Sequence, residues 1–297
     1  MLRSMMLIIN PLSGRGITRN SIGTVVSQLC DSGYSVTVYI TGEYTAEQLV
    51  IEYAKRHELV VCVGGDGTLS SVVSGLLRSG VSIPLGYIPT GTANDIASTL
   101  SLSKDPPTAA KTIINGQIRP LDVGLFNEGR YFTYIAAFGA FTSVSYSTPQ
   151  NAKRALGHFA YVLGGLTEVP AIKARRTIVE YDGGKTEGDF IFGGVVNSTS
   201  VAGFVKLDPK RVDLADGVFE IILVKQPVIP ADFFDILAGM TMKTYDGDNV
   251  QLLHSSRARF TFLDEVAWTI DGEDGGLHKE VGIVNCPRTI NIIVKDH

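Results

Sequence analysis

Five residues constrain this chain more than any others: Gly64-Gly65-Asp66-Gly67-Thr68. They stand between the apolar run Leu59–Val63, which predicts a buried strand, and Leu69–Arg78, which carries helical spacing. Three glycines in four positions permit positive φ and let a ligand approach the backbone closely. The helix that follows begins with unpaired N–H groups and the positive end of its dipole, both suited to phosphate. An aspartate in such a loop makes sense when a divalent cation lies between it and the phosphate. The spacing is neither that of a Walker loop nor that of a G-x-G-x-x-G fingerprint. The plainer alternative is that the glycines only turn the chain from strand to helix.

The rest of the first 120 residues repeats this alternation. Met5–Ile9, Ser35–Ile40 and Leu85–Ile88 predict further buried strands, and Arg19–Ser32 and Thr45–Lys55 predict helices. Strands alternating with helices imply a parallel sheet covered on both faces, with ligands outside the carboxyl ends of the strands. Two more loops fall at those ends. Asn10-Pro11-Leu12-Ser13-Gly14-Arg15-Gly16 offers glycine and an arginine, and Pro89-Thr90-Gly91-Thr92-Ala93-Asn94-Asp95 couples glycine and hydroxyls with an acid at a helix start. Alone, each reads equally well as a turn or an N-cap. Three at one sheet edge are harder to dismiss.

From Leu121 the texture changes to runs rich in β-branched and aromatic residues. Arg130–Ala136, Thr177–Tyr181, Asp189–Val196, Val218–Val224, Arg257–Phe262 and Val266–Ile270 predict strands, with hairpin signals at Asp182-Gly183-Gly184 and Asp271-Gly272. Helical segments are expected near Ala152–Glu168 and Ala231–Met242. The expected organisation is an α/β domain over 1–123 and an antiparallel β domain over 124–287. Thr289–Val294 could belong to either.

Composition narrows the partners. A net charge of −4 with a hydrophobic content of 44% gives a foldable core and no basic surface for nucleic acid. Cys30, Cys62 and Cys286 lack the pairing of a disulfide framework or a zinc site. No apolar run reaches membrane-spanning length, so the expected location is cytoplasmic, with any membrane contact peripheral.

In order and spacing, Asn10–Gly16, Gly64–Thr68, Pro89–Asp95 and Leu121-Asp122-Val123-Gly124 resemble the diacylglycerol kinase catalytic-domain family of soluble lipid kinases. Phe159-Ala160-Tyr161, Ala202-Gly203-Phe204, Asp216-Gly217 and Asp271-Gly272-Glu273 extend the resemblance over nearly the whole chain. The resemblance implies ATP-dependent phosphorylation of a lipid hydroxyl, diacylglycerol giving phosphatidic acid. It also implies a doubly wound α/β nucleotide-binding domain, a C-terminal antiparallel β-sandwich domain for the lipid, and a site in the cleft. Nucleotide contacts then fall on Asn10, Pro11, Leu12, Ser13, Gly14, Thr41, Gly64, Gly65, Asp66, Gly67, Thr68, Leu69, Ser70, Thr92 and Asn94. An acidic network of Asp66, Asp95 and Asp122 holds the catalytic Mg²⁺ largely through water. Glu273 is the base for the acceptor hydroxyl. A separate structural Mg²⁺ falls on the Asp216 side chain with the backbone carbonyls of Asp213 and Val218.

The chain departs from the family pattern in places. Ser70-Ser71 stands where the family has Asn-Glu, Arg15 where lysine is commoner, and the segment from Pro209 to Asp216 is one residue longer. Residues 151–176 collect Lys153, Arg154, Lys173, Arg175 and Arg176 against Glu168 alone, with Leu156, Phe159, Leu163 and Leu166 at helical spacing. Such a segment can dock to anionic lipid or pack as an ordinary amphipathic helix. A sphingoid base or another glycerolipid as acceptor, a nucleotide-binding regulator without activity, and a homodimer all stay open.

Overall fold

The computed structural model describes residues 2–14, 19–139, 173–201, 205–207, 212–229, 231–232, 235–236, 239 and 247–296. The chain divides into two units, Met1–Asp122 with Arg288–His297, and Val123–Pro287.

The first unit contains β1 (Arg3–Ile9), α1 (Arg19–Asp31), β2 (Tyr34–Ile40), α2 (Ala46–Tyr53), β3 (Leu59–Gly64), α3 (Asp66–Ser79), β4 (Leu85–Pro89), α4 (Asp95–Thr99), α5 (Pro106–Asn115) and most of β5 (Gln117–Phe126). β1 and β3 read as unbroken apolar runs because a parallel strand is buried on both faces. Met5, Leu7 and Ile9 pack with Val25 and Leu29 of α1 and Ala109, Ala110 and Ile113 of α5. Met6 and Ile8 point the opposite way and are equally buried, toward the layer formed by α2 and α3. Full burial of one such side chain contributes about 1.5–3 kcal/mol. Thr45 and Gln48 form a capping box that starts α2, and the Asp105 carboxylate with Pro106 starts α5.

The strand order is β2-β1-β3-β4, all parallel, with Ile9 level with both Ile40 and Val63. β1 connects outward to β2, whereas β3 connects to β4 on the other side. The order therefore reverses between β1 and β3, which leaves a crevice at their carboxyl ends, the place where open α/β sheets take ligands.

The second unit holds β6 (Arg130–Phe132), β7 (Ile135–Gly139), β8 (Arg175–Tyr181), β9 (Gly184–Val196), β10 (Ser200–Val201), β11 (Val205–Lys206), β12 (Phe219–Lys225), β13 (Val250–Ser255), β14 (Arg257–Ile270) and the greater part of β15 (Glu273–Val294). Its strands pair antiparallel in the order β13-β12-β9-β7-β14-β15, and β8 also bridges β9 and β14. Phe138, Phe260, Phe262 and Trp268 meet edge-on or tilted in its core. Both expected hairpins form, with Tyr181 opposite Gly184 and Ile270 opposite Glu273. At the second, Asp271 and Gly272 take φ of 49° and 81°, as a type I′ turn requires.

Several elements differ from expectation. Arg130–Ala136 is two strands, because the N–H groups of Thr133, Tyr134 and Ile135 go to the Asp271 carboxylate. Arg257–Phe262 and Val266–Ile270 merge into one strand, β14, whose pairing shifts between Thr261 and Val266. The Thr289–Val294 run, left open by the sequence, belongs to the first unit, where Ile292 lies parallel beside Leu85. The expected helix at Ala152–Glu168 lies outside the described residues. Of Ala231–Met242, only Ala231, Asp232, Asp235, Ile236 and Gly239 are described, all helical. No helix among the described residues is long and apolar enough to cross a membrane.

Candidate active site

At the crevice, three loops of the first unit meet backbone to backbone. A Cβ on Gly14 would lie 2.2 Å from the Thr90 carbonyl oxygen, and one on Gly91 would lie 2.6 Å from the Gly65 Cα. Only glycine allows that approach. Gly14 also has φ of 57°, in the left-handed region. Polar bonds lock the junction. The Asn10 main-chain N–H donates to the Val63 carbonyl at 2.9 Å, and its side-chain Nδ2 donates to Thr68 Oγ1 at 2.9 Å. Asn10 Oδ1 accepts the Leu12 N–H at 3.0 Å, and the Thr90 N–H donates to the Gly64 carbonyl at 2.8 Å. The loops after β1, β3 and β4 thus behave as one piece.

α3 starts from this junction. Its N-cap, Gly65, supplies no side-chain bond, so the first-turn N–H groups of Gly67 and Thr68 face the crevice edge with their dipole uncapped by a side chain. Ser13 is buried beside Gly65, while Pro11, Leu12 and Thr92 are exposed at the rim. Thr41 follows β2 and donates its N–H to the Ile9 carbonyl at 2.9 Å. The Leu69 side chain is in the core, leaving only its backbone for any ligand; Ser70 is half-buried on α3. Ser71, one of the two departures on this helix, accepts the Glu47 N–H at 2.9 Å and ties α2 to α3.

Two of the three expected acids come together here. Asp66 is buried, and its carboxylate accepts the N–H groups of Asp95 at 3.2 Å and Ile96 at 3.4 Å. It therefore caps α4, a role that Asn94 does not take. Asn94 sits at φ 53° and turns its Nδ2 to the Gly91 carbonyl at 2.7 Å. Asp95, also buried, begins α4. Burial, reinforced by the charge of Asp66, pushes the Cys62 thiol up, so this cysteine stays protonated beneath the loop. Asp122 lies within β5. It is fully buried and accepts the Arg288 N–H at 2.7 Å. No cluster of three or more His, Cys, Asp or Glu suited to binding a metal directly occurs among the described residues. Hard carboxylate oxygens already holding backbone N–H groups fit a hydrated Mg²⁺ better than a bare, fully protein-ligated ion.

The remaining expected residues lie in the second unit. Glu273 opens β15 directly after the Asp271-Gly272 turn, with its side chain 67% exposed and Arg130 Nη2 at 3.6 Å. Asp213 accepts the Ala215 N–H at 3.1 Å, and Asp216 accepts the Val218 N–H at 3.0 Å around Gly217 at φ 85°. Two residues past Val218, Glu220 is buried. Burial, with the Asp216 charge adding to it, pushes its carboxyl up to about 8. The sequence signalled neither Glu220 nor Asp271 as a buried acid. Of the basic segment, Arg176 is already paired with Glu187 at 2.8 Å and Asp189 at 3.2 Å.

Comparison with known proteins accords with this arrangement. Residues 4–126 match the family described as the diacylglycerol kinase catalytic domain. The chain is similar to a diacylglycerol kinase of Bacillus subtilis (strain 168), 31% identical over 296 residues, covering 97% of this chain and 95% of that one. It is also similar to a diacylglycerol kinase of Staphylococcus aureus (strain JH9), 31% identical, covering 96% and 90%. A crystal structure of a diacylglycerol kinase from Bacillus anthracis str. Sterne shares the fold at 22% identity, with a TM-score of 0.77 over 99% of this chain and 97% of that one. At 31% identity over nearly its whole length to these enzymes, the chain belongs to the diacylglycerol kinase family.

Proposed function

We propose that this protein transfers the γ-phosphate of ATP to the free hydroxyl of diacylglycerol, giving phosphatidic acid. The observation that carries the reading is the junction of three glycine loops at the β1/β3 reversal, where backbone and an uncapped helix start converge. Family membership supplies the acceptor class.

Phosphoryl transfer asks a protein mainly for positioning and charge stabilisation. The loops at Asn10–Gly14 and Gly64–Thr68 bind and orient the triphosphate, and the Asn10–Thr68 bond keeps them in register. Asp66, Asp95 and Asp122 would hold a hydrated Mg²⁺, which when bound neutralises phosphate charge. Glu273 takes the acceptor hydroxyl proton as the new oxygen–phosphorus bond forms and ADP departs. A second Mg²⁺, on the Asp216 carboxylate and the carbonyls of Asp213 and Val218, would brace the turn before β12. In this reading residues 1–123 with 288–297 serve the nucleotide and 124–287 the lipid. The protein works from the cytoplasm by peripheral contact with the bilayer.

The test is direct. Purified protein is incubated with γ-labelled ATP, Mg²⁺ and mixed micelles carrying diacylglycerol, sphingosine or ceramide, with NAD as a soluble control. Label in phosphatidic acid is expected. Label in another product reassigns the acceptor, and ATP binding without transfer to any of them overturns the reading.

A further inference from the structure

We propose that Asp271 is the positioning residue for Glu273, fixing where that carboxylate stands by anchoring the hairpin that carries it. This deepens the proposed function and rests on Glu273 being the base.

Glu273 has little of its own to hold it. Its side chain is largely exposed, and Arg130 lies beside it at 3.6 Å while also donating to the Asp274 carbonyl. Its position must come from the main chain. Two residues earlier, the Asp271 carboxylate is buried and takes four bonds. Oδ2 accepts from the Thr133 N–H at 2.7 Å and the Thr133 hydroxyl at 2.9 Å. Oδ1 accepts from the N–H groups of Tyr134 at 3.0 Å and Ile135 at 3.1 Å. Asp271 also returns its own N–H to the Ile135 carbonyl at 2.9 Å.

Closing a hairpin does not need this. A type I′ turn asks for positive φ at two positions, which asparagine meets as well as aspartate, and such turns ordinarily sit in water. Here the turn residue is buried, and the continuity of β6 and β7 is given up so that three N–H groups can face it. Two charged oxygens are what four donors require; an asparagine would turn an NH₂ group toward two of them. The result is a turn fixed to a neighbouring strand break, with Glu273 the first residue after it. A displacement of about 1 Å in a reacting group can cost about 100-fold in rate, so this anchoring bears on turnover.

The experiment is a double-mutant cycle read by labelled-phosphate transfer to diacylglycerol in micelles. Asp271→Asn is expected to lower kcat about 10- to 100-fold while the KM for ATP stays within about twofold. In a Glu273→Gln background the same change is expected to have no further effect, because the group being positioned is gone. Thr133→Val, which removes one of the four donors and leaves the fold's N–H bonds, is expected to lower kcat a few-fold and to lose that effect in the same background. It carries the cycle by itself if Asp271→Asn does not fold. Equal losses in both backgrounds would mean a purely structural role and overturn the inference, as would no loss in either. Near wild-type turnover by Glu273→Gln alone removes the base, and this inference with it, and that failure is read from the single variant.

Discussion

The Asp66 carboxylate accepts the main-chain N–H of Asp95 at 3.2 Å, so an acid from the loop after β3 starts the helix that follows β4. The same oxygen pair reaches the Ile96 N–H at 3.4 Å. One residue thus joins two loops mechanically and supplies one of the acids proposed to hold the hydrated cation. Asp66→Asn keeps one acceptor oxygen and loses the other. The expected cost in stability is about 1–2 kcal/mol, the scale of a lost helix cap, read from the urea midpoint. Phosphate transfer should fall far more, by about 100-fold or beyond. A variant with both quantities near wild type would remove Asp66 from the site.

Asn10 and Thr68 are 58 residues apart and bonded side chain to side chain at 2.9 Å across the β1/β3 crevice. Thr68→Val preserves the shape packed against Gly64 and removes the acceptor. A neutral hydrogen bond contributes about 0.5–1.5 kcal/mol, so affinity for ATP should weaken by roughly two- to tenfold. Calorimetric titration with ATP measures this. Unchanged affinity would mean that the two loops keep register without the bond.

Much of this junction was legible from sequence, and the reasons are local. Glycine placement, apolar runs and helix spacing are properties of neighbouring residues. They located the loops after β1, β3 and β4, and they placed Asp95 at a helix start. What stayed hidden depends on residues far apart in the chain. Nothing near Thr133 announces that its N–H will go to Asp271, so one expected strand is two. Which strand lies beside which, and hence the reversal between β1 and β3, follows from sheet pairing rather than from any segment's composition. Asp122 is buried within β5, where the Arg288 N–H that partners it comes from 166 residues downstream. α5 is a different case. Asp105 followed by Pro106 and Pro107 is a readable helix start, although it lies outside the elements expected above.

Glu220 makes stability depend on pH. Its carboxyl is raised from 4.5 to about 8 in the folded protein, so the folded state binds a proton that the unfolded state has released across that window. Stability is therefore highest below about 4.5 for this group and declines as pH rises toward 8, by about 1.4 kcal/mol per unit of pKa difference. Glu220→Gln should remove the decline. In EDTA, melting curves of the two proteins should converge at low pH and diverge increasingly from pH 5 to 8, with the variant the more stable. Parallel curves would show that Glu220 is ionised in the folded state.

The most direct test of the account lies at Gly91, whose Cβ would sit 2.6 Å from the backbone Cα of Gly65 and 2.8 Å from Asn94 Oδ1. Gly91→Ala should push the loops after β3 and β4 apart while both units stay folded. Gly23→Ala, on α1 with nothing within 4 Å, serves as the control. Calorimetric titration of ATP with Mg²⁺ into both variants is the measurement. The account predicts at least a roughly tenfold loss of affinity for Gly91→Ala, a change of about 1.4 kcal/mol or more, and none for Gly23→Ala. A folded Gly91→Ala protein that binds ATP as tightly as wild type would contradict the claim that the glycine junction is the seat of the triphosphate.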